Sequence, residues 1–322
     1  MGPFRPSGDA GDLSEQFDAQ RGALLAHCYR MLGSFDEAED MVQETFIRAW
    51  RASDRYDPGL GSIRTWLHRI ATNVCLTALE SRRKRPLPSG LGAPGSDPQA
   101  PLVPDLDIPW LQPFPDDRLG SPEDAALQRA GLRLAFVAAL QLLPARQRAA
   151  LVLMEVLQFS AAEVADALGS SVASVNSSVQ RARATLRTAG PVLEQLREPT
   201  DPTHREVVEQ YLEAFEAADV PRLAHLLADQ VALEMPPVNL WLQGARDYAE
   251  FLRRVFGMRG SGWRMLPVQA NGTTALAAFA PSSGGGDVRP HSIQLFDVRD
   301  GLVERCVTFV DPALVKLWST SP

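Results

Sequence analysis

The chain has 322 residues, 45% of them apolar and 22% charged, and a net charge of −7. That length suffices for two or three domains with cores of their own, while the acidic balance argues against a protein that coats nucleic acid by itself. No apolar run approaches a membrane span, MGPFRPSGDAGD lacks a signal-peptide core, and Pro6 rules out a myristoylation signal.

Cys28, Cys75 and Cys306 lie far apart, and His27 beside Cys28 has no second ligand pair. They read as reduced thiols of a cytoplasmic chain, with no metal and no cofactor expected. Charge is unevenly spread. Residues 91–125 hold one Lys/Arg against seven Asp/Glu, whereas 126–198 hold eight against five. The positive excess sits where a reader of DNA needs it.

Residues 1–16, rich in Gly, Pro and Asp, read as disordered. From Phe17 the pattern is helical, with Leu24, Leu25, Cys28, Met31 and Leu32 on one face and Gly33 as the stop. Asp36 is the expected cap of the next helix, FDEAEDMVQETFIRAWRA, whose Ala38, Val42, Thr45, Phe46 and Ala49 face inward. Its outward Glu37, Glu39, Asp40, Gln43 and Glu44 read, on their own, as a solvated face.

A Pro/Gly turn region, YDPGLGSI, leads to the amphipathic helix RTWLHRIATNVCLTALESRRKR. Leu67, Ile70, Ala71, Val74 and Ala78 face in, while Arg64, Arg69 and Asn73 face out. The terminal run Arg82, Arg83, Lys84 and Arg85 complements the helix dipole. Together with Trp66 it also suits a single strand of nucleic acid, since aromatics stack on unpaired bases and basic groups hold the backbone. Residues 89–125 form an acidic, Pro/Gly-rich linker with one apolar island, IPWLQPF.

Helix resumes in 126–190. Leu143-Pro144 breaks it before ALVLMEVLQF, and Ser160–Leu186 reads as a helix-turn-helix. Ser160 and Glu163 have capping-box spacing, and Gly169 ends the first helix. Val172, Val175, Val179, Ala182 and Leu186 line one face of the second helix. Its other face carries Ala173, Ser174, Asn176, Ser177, Gln180, Arg181 and Arg183: short polar groups for base edges and arginines for phosphates. The bland alternative is an ordinary αα-hairpin.

Residues 204–322 change character. Three helical stretches and a strand, VALEM, precede four strand-like runs at 263–269, 274–280, 291–297 and 302–310, split by SSGGGD and RDG. The fold class expected for the whole is multidomain: two all-α domains and an α+β cone with a curved antiparallel sheet.

AEDMVQETFIRAWR (38–51) with IRTWLHRIATNVCLTALESRRKR (63–85), then LPARQRAALVLMEVLQF and the helix-turn-helix (143–186), resemble regions two and four of bacterial sigma-70-type sigma factors of the extracytoplasmic-function group. The tail, with MPPVNLWLQG, is similar to SnoaL-like domains fused to such factors. The resemblance implies domains at 17–88 and 126–190, and core RNA polymerase and promoter DNA as partners. It implies that Asp40, Gln43 and Glu44 dock on the polymerase's largest subunit. Arg64, Trp66, Arg69, Asn73, Arg82, Arg83, Lys84 and Arg85 would then serve the −10 element, and Ser174, Asn176, Ser177, Gln180, Arg181 and Arg183 the −35 element. The linker would thread into the polymerase's basic channels. The tail's concave interior is expected to accept a small apolar ligand near Glu234, Trp241, Arg246 and His291, and to tune the sigma regions in a direction left open. Two alternatives stand beside this: a ligand-responsive helix-turn-helix regulator, which leaves 38–85 unexplained, and an enzymatic tail using Glu234, Asp219, Arg246 or His291.

Overall fold

The structure, a computed structural model, describes residues 9–59, 61–80, 84–95, 97–120, 128–188, 202–282 and 287–318. The chain divides into two units, residues 1–84 with 118–196 and residues 85–117 with 197–322.

The first unit begins with three packed helices, α1 (Asp9–Leu32), α2 (Phe35–Arg51) and α3 (Ile63–Glu80). Helix α1 already covers residues 9–16, where disorder was expected. Residues 1–8 lie outside the described residues. Gly33 closes α1 at φ 71°, its N–H reaching the Tyr29 carbonyl at 2.7 Å. The cap of α2 is Ser34, whose hydroxyl accepts the Glu37 N–H, and Asp36 falls in the first turn instead. Leu24, Cys28, Met31, Val42, Ala49, Leu67 and Ala71 are buried where the periodicity placed them.

The same unit continues with α4 (Leu134–Leu140), α5 (Ala145–Leu151), a π turn at Val152–Val156, α6 (Ala161–Ala167) and α7 (Val172–Thr188). Pro144 separates α4 from α5. The capping box forms as the spacing requires: Ser160 Oγ accepts from Glu163 N–H at 3.3 Å, and the Glu163 carboxylate accepts from Ser160 N–H at 2.8 Å. Gly169 takes φ 56°. Val175, Val179, Ala182 and Leu186 are buried, but Val172 is 44% exposed, because it opens α7 beyond the stripe that α5 and α6 cover.

Two buried arginines fasten the halves of this unit together. Arg30 donates to the carbonyl of Gly131 at 3.0 Å and to Gln128 Oε1 at 2.9 Å. Arg148 donates to the carbonyls of Met31 and Leu143 and to Gln141 Oε1. Burial pulls their pKa values down to about 9 and about 10. A guanidinium so placed is tolerated because its N–H groups meet acceptors.

The second unit holds α8 (Pro202–Glu216), α9 (Val220–His225), β1 (Leu227–Glu234), β2 (Trp241–Gln243), α10 (Ala245–Arg259), β3 (Arg264–Ala270), β4 (Thr273–Pro281), β5 (Val288–Arg299), β6 (Leu302–Phe309) and α11 (Pro312–Val315). The strands form one sheet in the order β2-β1-β6-β5-β4-β3. It is mixed rather than antiparallel, since β1 returns beside β6 in parallel. Register shifts at Ala278/Phe279 and Asp297/Val298 mark the irregularities that curve such a sheet. Asp300-Gly301 makes the β5–β6 turn at positive φ, as RDG predicts; Asn271-Gly272 does the same between β3 and β4. Most of the SSGGGD stretch (283–286) lies outside the described residues.

The expected free linker is largely part of this unit. Ser89 N–H donates to Glu234 at 2.8 Å, Arg254 donates to the Pro98 and Ala100 carbonyls, and Phe114 N–H donates to Asn271 Oδ1 at 2.8 Å. Composition predicted an extended segment, and among the described residues 89–117 holds no α-helix or strand, only parts of the 3-10 turns at Pro88–Gly90 and Asp116–Leu119 and two isolated bridges. Composition did not show that the tail satisfies its backbone groups.

Candidate nucleic-acid interface

Helix α7 is 17 residues long, about 25 Å, long enough to lie in a major groove. Ala173, Ser174, Asn176, Ser177, Gln180 and Arg181 are all exposed on the face opposite its buried valines. Arg181 donates to Ser178 Oγ at 3.2 Å, and Arg183 pairs with Glu155 at 2.5 Å. The expected −35 face is thus assembled and open.

On α3 the picture differs. Trp66 is half-buried and packs on Tyr56, ring centroids 5.0 Å apart. Together with Arg55, Thr65 and Arg69 they line a pocket of about 390 Å3, and Asp166 of α6 stands at its wall. Arg69 Nη1 pairs with Asp166 at 2.8 Å, and Asn73 Nδ2 reaches the Ala167 carbonyl at 3.4 Å. Arg64 donates to the Leu157 carbonyl at 2.7 Å and lies 4.5 Å from the Phe159 ring centroid; burial pulls its pKa down against the attraction of Glu163. Thr65 donates to Glu163 at 3.3 Å. Two of the residues expected at the −10 element, Arg69 and Asn73, are therefore engaged by the helix-turn-helix, and a third, Arg64, by the turn that precedes it. Lys84 makes a long contact, 3.5 Å, to the Leu142 carbonyl, and Arg85 bonds the Trp110 carbonyl at 3.1 Å. Arg82 and Arg83 lie outside the described residues.

Asp40 and Gln43 are exposed on α2, and Glu44 pairs with Arg48 at 2.7 Å. Sequence reasoning missed the apolar continuation of this face: Ile47 and Trp50 are 46% and 53% exposed and border a groove of about 350 Å3 with Phe17 and Phe46. Large apolar residues at outward positions of an amphipathic helix were the available signal.

In the tail, the four residues expected at one pocket do not converge. A cavity of about 40 Å3, room for two or three waters, is lined by Tyr211, Tyr248, Trp263, His291 and Gln294 among others. Burial and Arg259 push His291 down to about 4. Glu234 is buried against Arg305 Nε at 2.8 Å, Trp241 donates to the Gly92 carbonyl, and Arg246 is exposed at the start of α10. Asp219 caps α9. Sequence reasoning missed Gln294, whose Oε1 is buried without a partner, and the Tyr211–Tyr248 hydroxyl pair at 2.9 Å. Alternation along β5 was the only hint of the first. A small apolar ligand would have to widen this cavity considerably. Among the described residues no helix is long and apolar enough to cross a membrane.

Comparison with known proteins matches residues 17–85 to sigma-70 region 2, 133–186 to sigma-70 region 4, and 208–306 to a SnoaL-like domain. The chain is 45% identical over 309 residues to the ECF RNA polymerase sigma factor SigG of Mycobacterium tuberculosis, covering 94% of this chain and 82% of that one. It is 28% identical over 306 residues to SigJ of the same organism, covering 89% and 88%. The crystal structure of SigJ superposes with a TM-score of 0.62 at 26% identity over 94% of this chain and 97% of that one. With the helix-turn-helix following the acidic and basic helices in the matched order, the chain belongs to the extracytoplasmic-function family of RNA polymerase sigma factors.

Proposed function

We propose that this sigma factor, working in the cytoplasm, docks on core RNA polymerase through Asp40, Gln43 and Glu44 with Ile47 and Trp50. Helix α7 reads the −35 element, with Asn176 at base edges and Arg181 on phosphate, and α3 holds an unpaired −10 base in the pocket of Tyr56, Trp66 and Arg69. In the unbound chain α6 flanks that pocket, with Asp166 paired to Arg69 and Glu163 accepting from Thr65, so that carboxylates engage groups that would otherwise meet the strand. The observation that carries this reading is the asymmetry between the two faces: the α7 face is exposed, while Arg69 and Asn73 are bonded to α6 and Arg64 to the turn before it. The chain alone is then competent for duplex but not for the melted strand, and polymerase must separate α6 from α3. No catalytic step is assigned to the tail, since Glu234 is neutralised by Arg305 and Asp219 serves as a cap.

Run-off transcription with core polymerase tests the assignment. Asn176→Ala is expected to change the −35 sequences recovered from a randomised pool, base-edge contacts being worth about 1–3 kcal/mol of discrimination. Arg181→Ala should lower all promoters alike, and Trp66→Ala should block strand opening while leaving duplex binding unchanged. An unaltered consensus for Asn176→Ala, or normal opening for Trp66→Ala, overturns it.

A further inference from the structure

The core of the second unit holds an amide that its surroundings leave unbonded. On the sheet face that meets α8 and α10, β5 presents Ser292, Gln294 and Phe296. The register sets Gln294 between Leu276 of β4 and Thr308 of β6. Leu276, Ala278, Phe296 and Cys306 of the same face belong to the unit's apolar core. Gln294 is 5% exposed, and its Oε1 has no hydrogen-bond partner. A buried carbonyl left unbonded gives up its hydration and recovers nothing, whereas Met would fill the same place without that loss. An amide held there is explained by something that bonds it.

The cavity of about 40 Å3 lies at this amide. Phe215, Phe251 and Trp263 supply aromatic walls, and the other polar side chains on the lining each have a partner. Tyr211 and Tyr248 bond each other at 2.9 Å, and His291 Nδ1 meets Ser292 Oγ at 3.1 Å. Thr308 Oγ1 meets Cys306 Sγ at 3.5 Å, and Trp263 Nε1 donates to the Gly260 carbonyl at 3.2 Å. Among the described residues, no Asp, Glu, Lys or Arg lines the cavity. Burial pushes both tyrosines up and His291 down to about 4, so all three are uncharged near neutral pH. With no charge to pair an ion, the occupant must be neutral.

A lone water would gain Oε1 and find mostly carbon around it, whereas buried waters are held by about three bonds. A molecule with one donor and an apolar remainder matches both the amide and the rings. Room for two or three waters limits what sits wholly inside to about three or four non-hydrogen atoms. Val255 of α10 and His291 of β5 are half-buried, so the lining reaches toward solvent beside them, and a longer ligand would extend that way.

We propose that the C-terminal domain is a binding module for a small neutral ligand whose hydroxyl or amide N–H donates to Gln294 Oε1, with the aromatic walls around its carbon atoms. Residues 85–117 and the sigma regions contribute nothing to this lining, and the site does not depend on the contacts assigned to α3 and α7.

Acetamide and ethanol are the probes, since both carry the donor on about three or four non-hydrogen atoms, and xenon is the apolar control. The side-chain amide cross-peak of Gln294 is followed by NMR in the full chain. Gln294→Met identifies that peak by deleting it, and removes the acceptor while conserving volume. Acetamide should shift the peak saturably, with half-saturation in the millimolar range that so few atoms can supply. In Gln294→Met, the backbone amides of Ser292 and Thr308 should report affinity for acetamide lower by about tenfold or more, while their response to xenon persists. If Gln294→Met fails to fold, titration of the unaltered chain decides, with the peak assigned through bonds. The proposal is overturned by the absence of a saturable shift with either donor, or by equal acetamide affinity in parent and variant. A resident water at Gln294 that neither donor displaces would overturn it as well.

Discussion

Asp166→Ala isolates the closure of the −10 pocket. The carboxylate meets Arg69 at 2.8 Å with side chains 68% and 50% exposed, so the pair is worth about 0.2–1 kcal/mol rather than the several that a buried pair commands. Removing it shifts the balance between covered and uncovered α3 by about 1.4- to 5-fold. Helix α6 itself should not suffer, because Asp166 sits in its last turn, where a negative charge opposes the dipole. The assay is fluorescence anisotropy of the unbound chain with a labelled −10 single strand, across ionic strength. Affinity should rise by that factor at low salt and converge with the parent near 1 M, where screening acts within about 3 Å. With core polymerase present the gain should vanish, since α6 is then already displaced. Equal affinities at low salt would refute the reasoning, as would an undiminished gain in the holoenzyme.

Two further predictions concern the frame that holds the site. His68 is buried with Nδ1 2.8 Å from the Arg64 carbonyl, and burial pushes its pKa down to about 4. Its folded value lies below the unfolded one of about 6.5, so its contribution is complete above pH 6.5 and is lost as pH falls toward 4, by up to about 3 kcal/mol. Urea midpoints should decline across that window, and less steeply in His68→Gln; parallel slopes would count against it. Gly131→Ala places a Cβ 2.8 Å from Val156 Cγ1 and 2.9 Å from Arg30 Nε, displacing a buried guanidinium from its acceptor. It should cost about 1–3 kcal/mol in chemical denaturation, whereas Gly257→Ala, with open space around it, should cost nothing.

Local signals were legible in the sequence, and long-range ones were not. The capping box at Ser160 and Glu163, the stop at Gly169 and the buried stripes of α2, α3 and α7 follow from spacing alone, because each is settled within a few turns of chain. The engagement of Arg69 by Asp166 has no such signature: the residues are 97 positions apart, and each alone looks like a solvated charge. The parallel pairing of β1 with β6 and the three-residue β2 were hidden for the same reason. Glu234 looked like a candidate acid because a lone carboxylate on a strand carries no record of its partner. Arg305, 71 residues later, decides its role.

The seating of 85–117 also changes what a deletion of the tail would mean. A chain ending near residue 199 removes Asn271, Glu234, Arg254 and Trp241 but keeps the segment they hold. Leu87, Trp110, Leu111 and Phe114, all buried in the intact protein, would then trail from the sigma regions with their backbone partners gone. Such a truncation adds a sticky apolar tether as well as subtracting a domain, so its transcription and solubility report both changes at once. Asn271→Gly preserves the left-handed backbone at φ 51° and removes the Oδ1 that accepts the Phe114 N–H while leaving the backbone bond to the Phe114 carbonyl, a narrower perturbation than truncation.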